Sequence, residues 1–218
     1  MRRHGRHGAA PPQDRARSEI AQLAARLLID GEAEDFGAAK RKAAEALGVH
    51  DQRALPDNRD VQAAIVDHQR LFEGEAIAAR TRRLRAAALS AMRFFADFEP
   101  RLVGPVLHGT PFEHSAVTLH LFSDEAEGVV RWLLQHRIPY RLDEQIRRAG
   151  RRDSESYPVL ETALGEVDFE LVVMPRVRLQ NPPLSPLDGA PYRRLDAAGL
   201  AALLASPAAG DVYPAALR

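Results

Sequence analysis

Residues 106–122 read Val106-Leu107-His108-Gly109-Thr110-Pro111-Phe112-Glu113-His114-Ser115-Ala116-Val117-Thr118-Leu119-His120-Leu121-Phe122. An apolar run ends in Gly109-Thr110, a short polar loop leads to Ser115, and alternation begins at Val117. Period two puts Val117, Leu119 and Leu121 on one face and Thr118 and His120 on the other, the pattern of a half-buried strand. The apolar residues of 102–107 read as a shorter strand before the loop. The stretch therefore predicts two strands joined across a polar connection.

The pattern continues downstream. Asp124 reads as the N-cap of a helix through about residue 136, with Val129, Val130, Leu133 and Leu134 facing inward. Residues 138–146 read as a third strand and residues 147–152, rich in Arg, as a loop. Residues 159–163 and 167–174 form a hairpin turning near Gly165, and a last helix after Asp196 carries Leu200, Leu203 and Leu204. Upstream the spacing is helical. Ile20, Leu23, Leu27 and Leu28 share one stripe of a helix over 15–30, stopped by Gly31. An Ala-faced helix spans 36–47. Pro56-Asp57-Asn58 opens a third helix carrying Val61, Ile65, His68 and Phe72, and Gly74 breaks it. A fourth spans 77–98 with Leu84, Ala88, Met92 and Phe95 inward, closed by Pro100.

Helices first, then strands with interleaved helix, predict an α+β fold: a helical region over 15–99 packed on a mixed sheet with flanking helices over 100–218, and a disordered tail over 1–14. The 218-residue chain is 45% apolar and 28% charged, with a formal net charge of zero, so no overall basic field attracts nucleic acid. Lys occurs only at Lys40 and Lys42. Arg in place of Lys, with abundant Ala, reads as the coding bias of a GC-rich bacterium. Without Cys there is no disulfide, thiolate metal site or thiol nucleophile. No apolar run reaches the roughly 20 residues that span a bilayer. A cytoplasmic location without a membrane partner is expected by default.

The strand, the Gly-Thr pair, the loop, Ser115 and the alternating strand together resemble the core of the polymerase-β-type nucleotidyltransferase superfamily. That family shows an apolar strand, Gly-Ser, a loop, then Ser-Asp-x-Asp with apolar residues, and a third carboxylate on a later strand. The resemblance covers residues 102–174. It implies that Gly109, Thr110 and Ser115 bind a nucleotide's phosphates: a Gly lets backbone approach closely, and hydroxyls donate to phosphate oxygens. It implies that the two residues after Ser115 on one strand face hold Mg2+. Those positions are Ala116 and Thr118, which supply no ligand and a neutral oxygen. The third carboxylate aligns with Asp168 or Glu170. A second register sets Gly104 on the first family Gly and Gly109 on a later one, with Pro105 at the Ser position. Both registers leave Ala116 and Thr118 where metal ligands belong.

Each feature also has a plainer reading. Gly109-Thr110 can be a tight turn, and Glu166, Asp168 and Glu170 a solvated strand face. His108, His114 and His120 recur at six-residue steps but lack the spacing of a zinc motif. Arg80, Arg82, Arg83 and Arg85, and Arg147, Arg148, Arg151 and Arg152, can meet phosphates or simply face solvent. Neither a P-loop, nor a dinucleotide-binding glycine motif, nor a nucleophile elbow occurs. Three functional readings follow. One is a nucleotidyltransferase-fold protein, weak or inactive, that binds a nucleotide. Another is an active Mg2+-dependent enzyme using displaced acids such as Asp124, Asp168 and Glu170. The third is a non-enzymatic module that binds a protein partner through its helical half.

Overall fold

The structure, a computed structural model, describes residues 12–72, 74–148 and 154–206. The chain divides into two compact units between Leu71 and Phe72. The first holds α1 (Pro12–Ile29), α2 (Phe36–Ala46) and nearly all of α3 (Asn58–Phe72). Helix α1 begins at Pro12, inside the stretch read as a tail, because Pro is well tolerated in a first helical turn. Residues 1–11 of that tail lie outside the described residues. Ile20, Ala24 and Ala25 of α1, Ala39 and Ala43 of α2, and Val61 and Ile65 of α3 are buried. The Asp35 carboxylate caps α2 by accepting from the Ala38 N–H at 2.7 Å. At the start of α3 the carboxylates of Asp57 and Asp60 accept from each other's backbone N–H, a reciprocal capping arrangement.

The second unit opens with α4 (Gly74–Phe94) and contains the sheet. The sequence pattern put the boundary between residues 99 and 100. The structural division comes earlier because Leu84, Ala88, Ala91 and Met92 of α4 belong to the core under the strands. The elements that follow are β1 (Arg101–Leu102), α5 (Gly104–His108), β2 (Val117–Phe122), α6 (Ala126–Gln135), β3 (Arg141–Arg148), β4 (Ser154–Leu164), β5 (Val167–Met174), α7 (Val177–Gln180) and α8 (Ala197–Ala205). The sheet runs β1-β2-β5-β4-β3. Strands β2 and β5 are parallel and the other pairs antiparallel. A mixed α+β architecture with eight helices and five strands among the described residues is therefore established.

The two faces of the sheet differ. One carries Val117, Leu119 and Leu121 of β2 and Phe169, Leu171 and Val173 of β5, packed with α4, α6 and α8 through Met92, Val129, Leu133 and Leu200. Each such side chain, fully buried, contributes about 1.5–3 kcal/mol of transfer free energy. The other carries Thr118, His120 and Phe122 of β2, the last clustered with Tyr157, Val159, Val172 and Met174 and covered by Leu179 of α7. No helix among the described residues is long and apolar enough to cross a membrane.

Three local expectations are corrected. The strand over 102–107 is instead the two-residue β1 followed by α5. Gly104, at φ +73°, turns the chain, and Pro105 is set for a first helical turn, so backbone chemistry outweighs the apolar run. Strand β3 starts later than expected and extends through Arg148 in register with β4. Residues 149–152 of the expected loop, Arg151 and Arg152 among them, lie outside the described residues. Finally, Asp124 is not the N-cap of α6. Glu125 takes that position, and the Asp124 carboxylate accepts from the Arg176 N–H at 2.9 Å.

Candidate functional site

Parallel pairing of β2 with β5 sets Thr118 directly beside Glu170. The Thr118 Oγ1–H donates to Glu170 Oε2 at 3.1 Å. Gly104 closes the third side: a Cβ there would lie 3.6 Å from Thr118 Oγ1, the nearest side-chain atom. Just before it, the Val103 N–H donates to the Thr118 carbonyl at 3.1 Å, fixing β1 against β2. Gly104, Thr118 and Glu170 thus converge from three chain segments far apart in sequence. Asp168 lies two residues before Glu170 on the same face of β5, exposed at the strand's start. Ala116 immediately precedes β2 and is partly exposed.

Gly109 and Thr110 sit elsewhere than a strand end. Gly109, at φ +79°, is the C-terminal cap of α5, and both its N–H and that of Thr110 donate to the Pro105 carbonyl. Those two amides, the phosphate-binding groups expected from the sequence, are committed to closing a helix. Thr110 is itself buried. Ser115 is also engaged locally, its Oγ accepting from the Phe112 N–H at 2.8 Å and its N–H donating to the Phe112 carbonyl. The second register, with Gly104 leading, is the one whose glycine stands at a strand end beside Thr118.

Arg85, expected to meet phosphates or face solvent, is instead completely buried. Its Nε–H donates to the Val106 carbonyl at 3.0 Å and its Nη2–H to the Leu107 carbonyl at 2.8 Å. A cation thereby satisfies carbonyls that a five-residue helix leaves open at its C-terminal end. Arg80 donates to the Pro111 carbonyl at 3.5 Å, while Arg82 and Arg83 are exposed. The signal for Arg85 was available in principle: it is one position after Leu84 and three before Ala88, on the inner side of α4.

The three histidines have unlike surroundings. His108 is held below its ordinary pKa, first by burial and then by Arg193, with Arg85 adding to the effect and Asp188 opposing it. His114 is exposed. His120 is buried, its ring edge-on to Tyr192 with centroids 5.1 Å apart. Among the described residues no group of three His, Cys, Asp or Glu side chains could hold a metal ion. Of the displaced acids, Asp124 lies beyond the end of β2 and holds the Arg176 backbone, so it does not join Glu170.

Sequence reading missed a cleft at the carboxyl ends of β2 and β5. It has a volume of about 420 Å3 and is lined by Ser123, Asp124, Glu155, Tyr157, Met174 and Pro175 among others. Glu155 is bonded by Arg178 and by the Tyr157 hydroxyl, and these bonds hold its carboxyl below the usual pKa. Burial, and then the bond to Glu155, push the Tyr157 phenol up to about 12. A raised phenol pKa favours the protonated, hydrogen-bonded form. Its stabilisation is therefore complete below the unfolded value near 10 and is lost as pH rises through about 12. Alkaline unfolding followed by circular dichroism should steepen across that window, and Tyr157→Phe should flatten it.

No protein-family model, no curated protein and no solved structure matches this chain.

Proposed function

We propose that this chain is a nucleotidyltransferase-fold protein with little or no catalytic activity that binds a nucleotide beside Gly104, Thr118 and Glu170. The observation that carries the reading is the Thr118–Glu170 hydrogen bond across parallel strands. In the family that this sequence resembles, those strand positions bring carboxylates together around Mg2+. Here a hydroxyl donates to the surviving carboxylate, so one acceptor site is occupied by a neutral donor. The Ala116 side chain supplies no oxygen. A divalent cation bound mainly through carboxylates is poorly served by one carboxylate and a hydroxyl. Glu170, with Asp168 behind it, is the remaining acid. If Mg2+ were held at all, these two would hold it, and it would supply charge neutralisation of a phosphate.

The supporting arrangement is order as well as contact. Strand, glycine turn, short helix and second strand follow one another, and β5 returns parallel to β2. The active-enzyme reading, through Asp124, Asp168 and Glu170, has less support because Asp124 is committed to Arg176.

Titration of the chain with each nucleoside triphosphate, with and without Mg2+, tests this. Saturable binding is expected, with an affinity that Mg2+ changes by less than about threefold. Pyrophosphate release is expected to stay at the blank. Magnesium-dependent binding with turnover would overturn the inactive reading. Absence of binding by all of them would overturn the nucleotide reading and favour a protein-binding role.

A further inference from the structure

The two edges of the sheet are finished differently. Edge strand β1 has two residues, and on its outer side Leu102 exchanges both backbone hydrogen bonds with Leu195, at 2.8 and 3.1 Å. At the other edge β3 runs for eight residues, Arg141–Arg148, with β4 on one side and no strand on the other among the described residues. In an antiparallel ladder every second residue directs its N–H and C=O away from the neighbour, so β3 presents a row of outward backbone groups. Two devices that commonly close such an edge are missing. Strand β3 has no Pro, and its pairing with β4 runs one to one from Arg141↔Glu161 to Arg148↔Ser154 without a bulge. Leu142 is 61% exposed, although Leu160 beside it is buried.

The far half of β3 extends beyond the rest of the sheet. Strand β4 pairs with β5 only over residues 159–164, so residues 144–148 and 154–158 pass β5 as a two-stranded ribbon. Two strands alone are marginal, and further strands stabilise them. The order of charges selects what can be added. Positions 143 and 144 are acidic, and 147 and 148 are basic. An antiparallel second copy sets the acidic pair against the basic pair, twice by symmetry, whereas a parallel copy in register sets like charge on like. Two registers do this with both residues of each pair on one face of the joined sheet. One sets Asp143 opposite Arg147 of the second copy about an axis at Gln145. The other sets Glu144 opposite Arg148 of the second copy about an axis at Ile146. Charges that deter an unrelated strand thus favour this one.

We infer that the outer edge of β3 is a self-association surface, pairing antiparallel with β3 of a second copy of this chain so that the two sheets become one. The inference does not depend on nucleotide binding at Thr118 and Glu170, since β4 stands between β3 and the strand that carries Glu170.

Sedimentation equilibrium of the full chain tests this. The parent is expected to dimerise at concentrations up to about 0.5 mM. Asp143→Lys with Glu144→Lys, and separately Arg147→Glu with Arg148→Glu, should each weaken the dimer at least about tenfold, because each sets like charges opposite one another. An equimolar mixture of the two variants should restore it as a mixed pair, which misfolded variants would not do. A second measurement locates the axis. The chain has no Cys, so a disulfide dimer formed on oxidation reports the introduced position alone. The Gln145→Cys variant should cross-link in one register and Ile146→Cys in the other, while Glu166→Cys, in the exposed β4–β5 turn, should not. The inference is overturned by a parent that stays monomeric throughout that range, by dimers that survive both charge variants, by a mixture that stays monomeric, or by cross-linking at neither 145 nor 146. If nucleotides fail to bind while the dimer forms, the nucleotide reading falls alone.

Discussion

Replacing Arg85 with Met is expected to destabilise the second unit by about 3–5 kcal/mol, a large fraction of the 5–15 kcal/mol that holds a typical domain together. The reasoning starts from the short helix α5. Five residues cannot satisfy their own terminal carbonyls. Gly109 and Thr110 serve the Pro105 carbonyl, and the carbonyls of Val106 and Leu107 are left to the Arg85 guanidinium. Hydrogen bonds from a charged donor are worth about 1.5–3 kcal/mol each, and their loss leaves two buried acceptors unpaired. Methionine fills most of the volume, so the change isolates the hydrogen bonds better than alanine does. Arg85→Lys should recover only part of the loss, because a single ammonium lacks the planar fork that reaches both carbonyls. Urea unfolding followed by circular dichroism measures this. A midpoint for Arg85→Met equal to that of the parent would show that α5 is held by its apolar contacts alone.

The same helix shows why part of the fold was hidden from the sequence. Apolar periodicity identified β2, the β4–β5 hairpin and α8, because each buries a face at its own period. Periodicity failed at residues 102–107. A run of Leu, Val, Val and Leu fits strand and buried helix equally, and Gly104 and Pro105 decide between them. That decision moved the leading glycine of the site from Gly109 to Gly104. The acids were legible only as alternatives. Alternation put Asp168 and Glu170 on one face, but only strand pairing selects Glu170 as the neighbour of Thr118. Burial of Arg85 was masked by the three other arginines around it. The cleft was illegible because Asp124, Glu155 and Pro175 come from three loops and strands whose meeting depends on strand order.

Placing acids where the resembled family holds metal should make the stability of this protein respond to Mg2+. Thr118→Asp exchanges a donor for a second acceptor at hydrogen-bonding distance from Glu170. Without metal, two carboxylates there cannot both ionise freely, and one titrates above its ordinary range. A carboxyl whose folded pKa is raised stabilises the fold at pH below its unfolded value near 4 and loses that contribution as pH rises through the folded value. Thr118→Asp should therefore be close to parental stability at pH 4 and about 1–3 kcal/mol less stable at pH 8. Adding Ala116→Asp supplies a third oxygen donor from the same edge of β2. In the double variant Mg2+ should reverse the loss at pH 8, because a divalent ion converts repulsion between neighbouring carboxylates into shared coordination. Thermal unfolding at pH 8 with and without about 10 mM Mg2+ reads this directly: at tenfold excess over Kd the linkage gain is about 1.4 kcal/mol. The parent chain, with Ala116 and the Thr118 hydroxyl in those positions, should show no comparable shift. An equal shift in parent and double variant would mean that the ion acts elsewhere on the surface, and that Thr118 and Glu170 are not the remnant of a metal-binding pair.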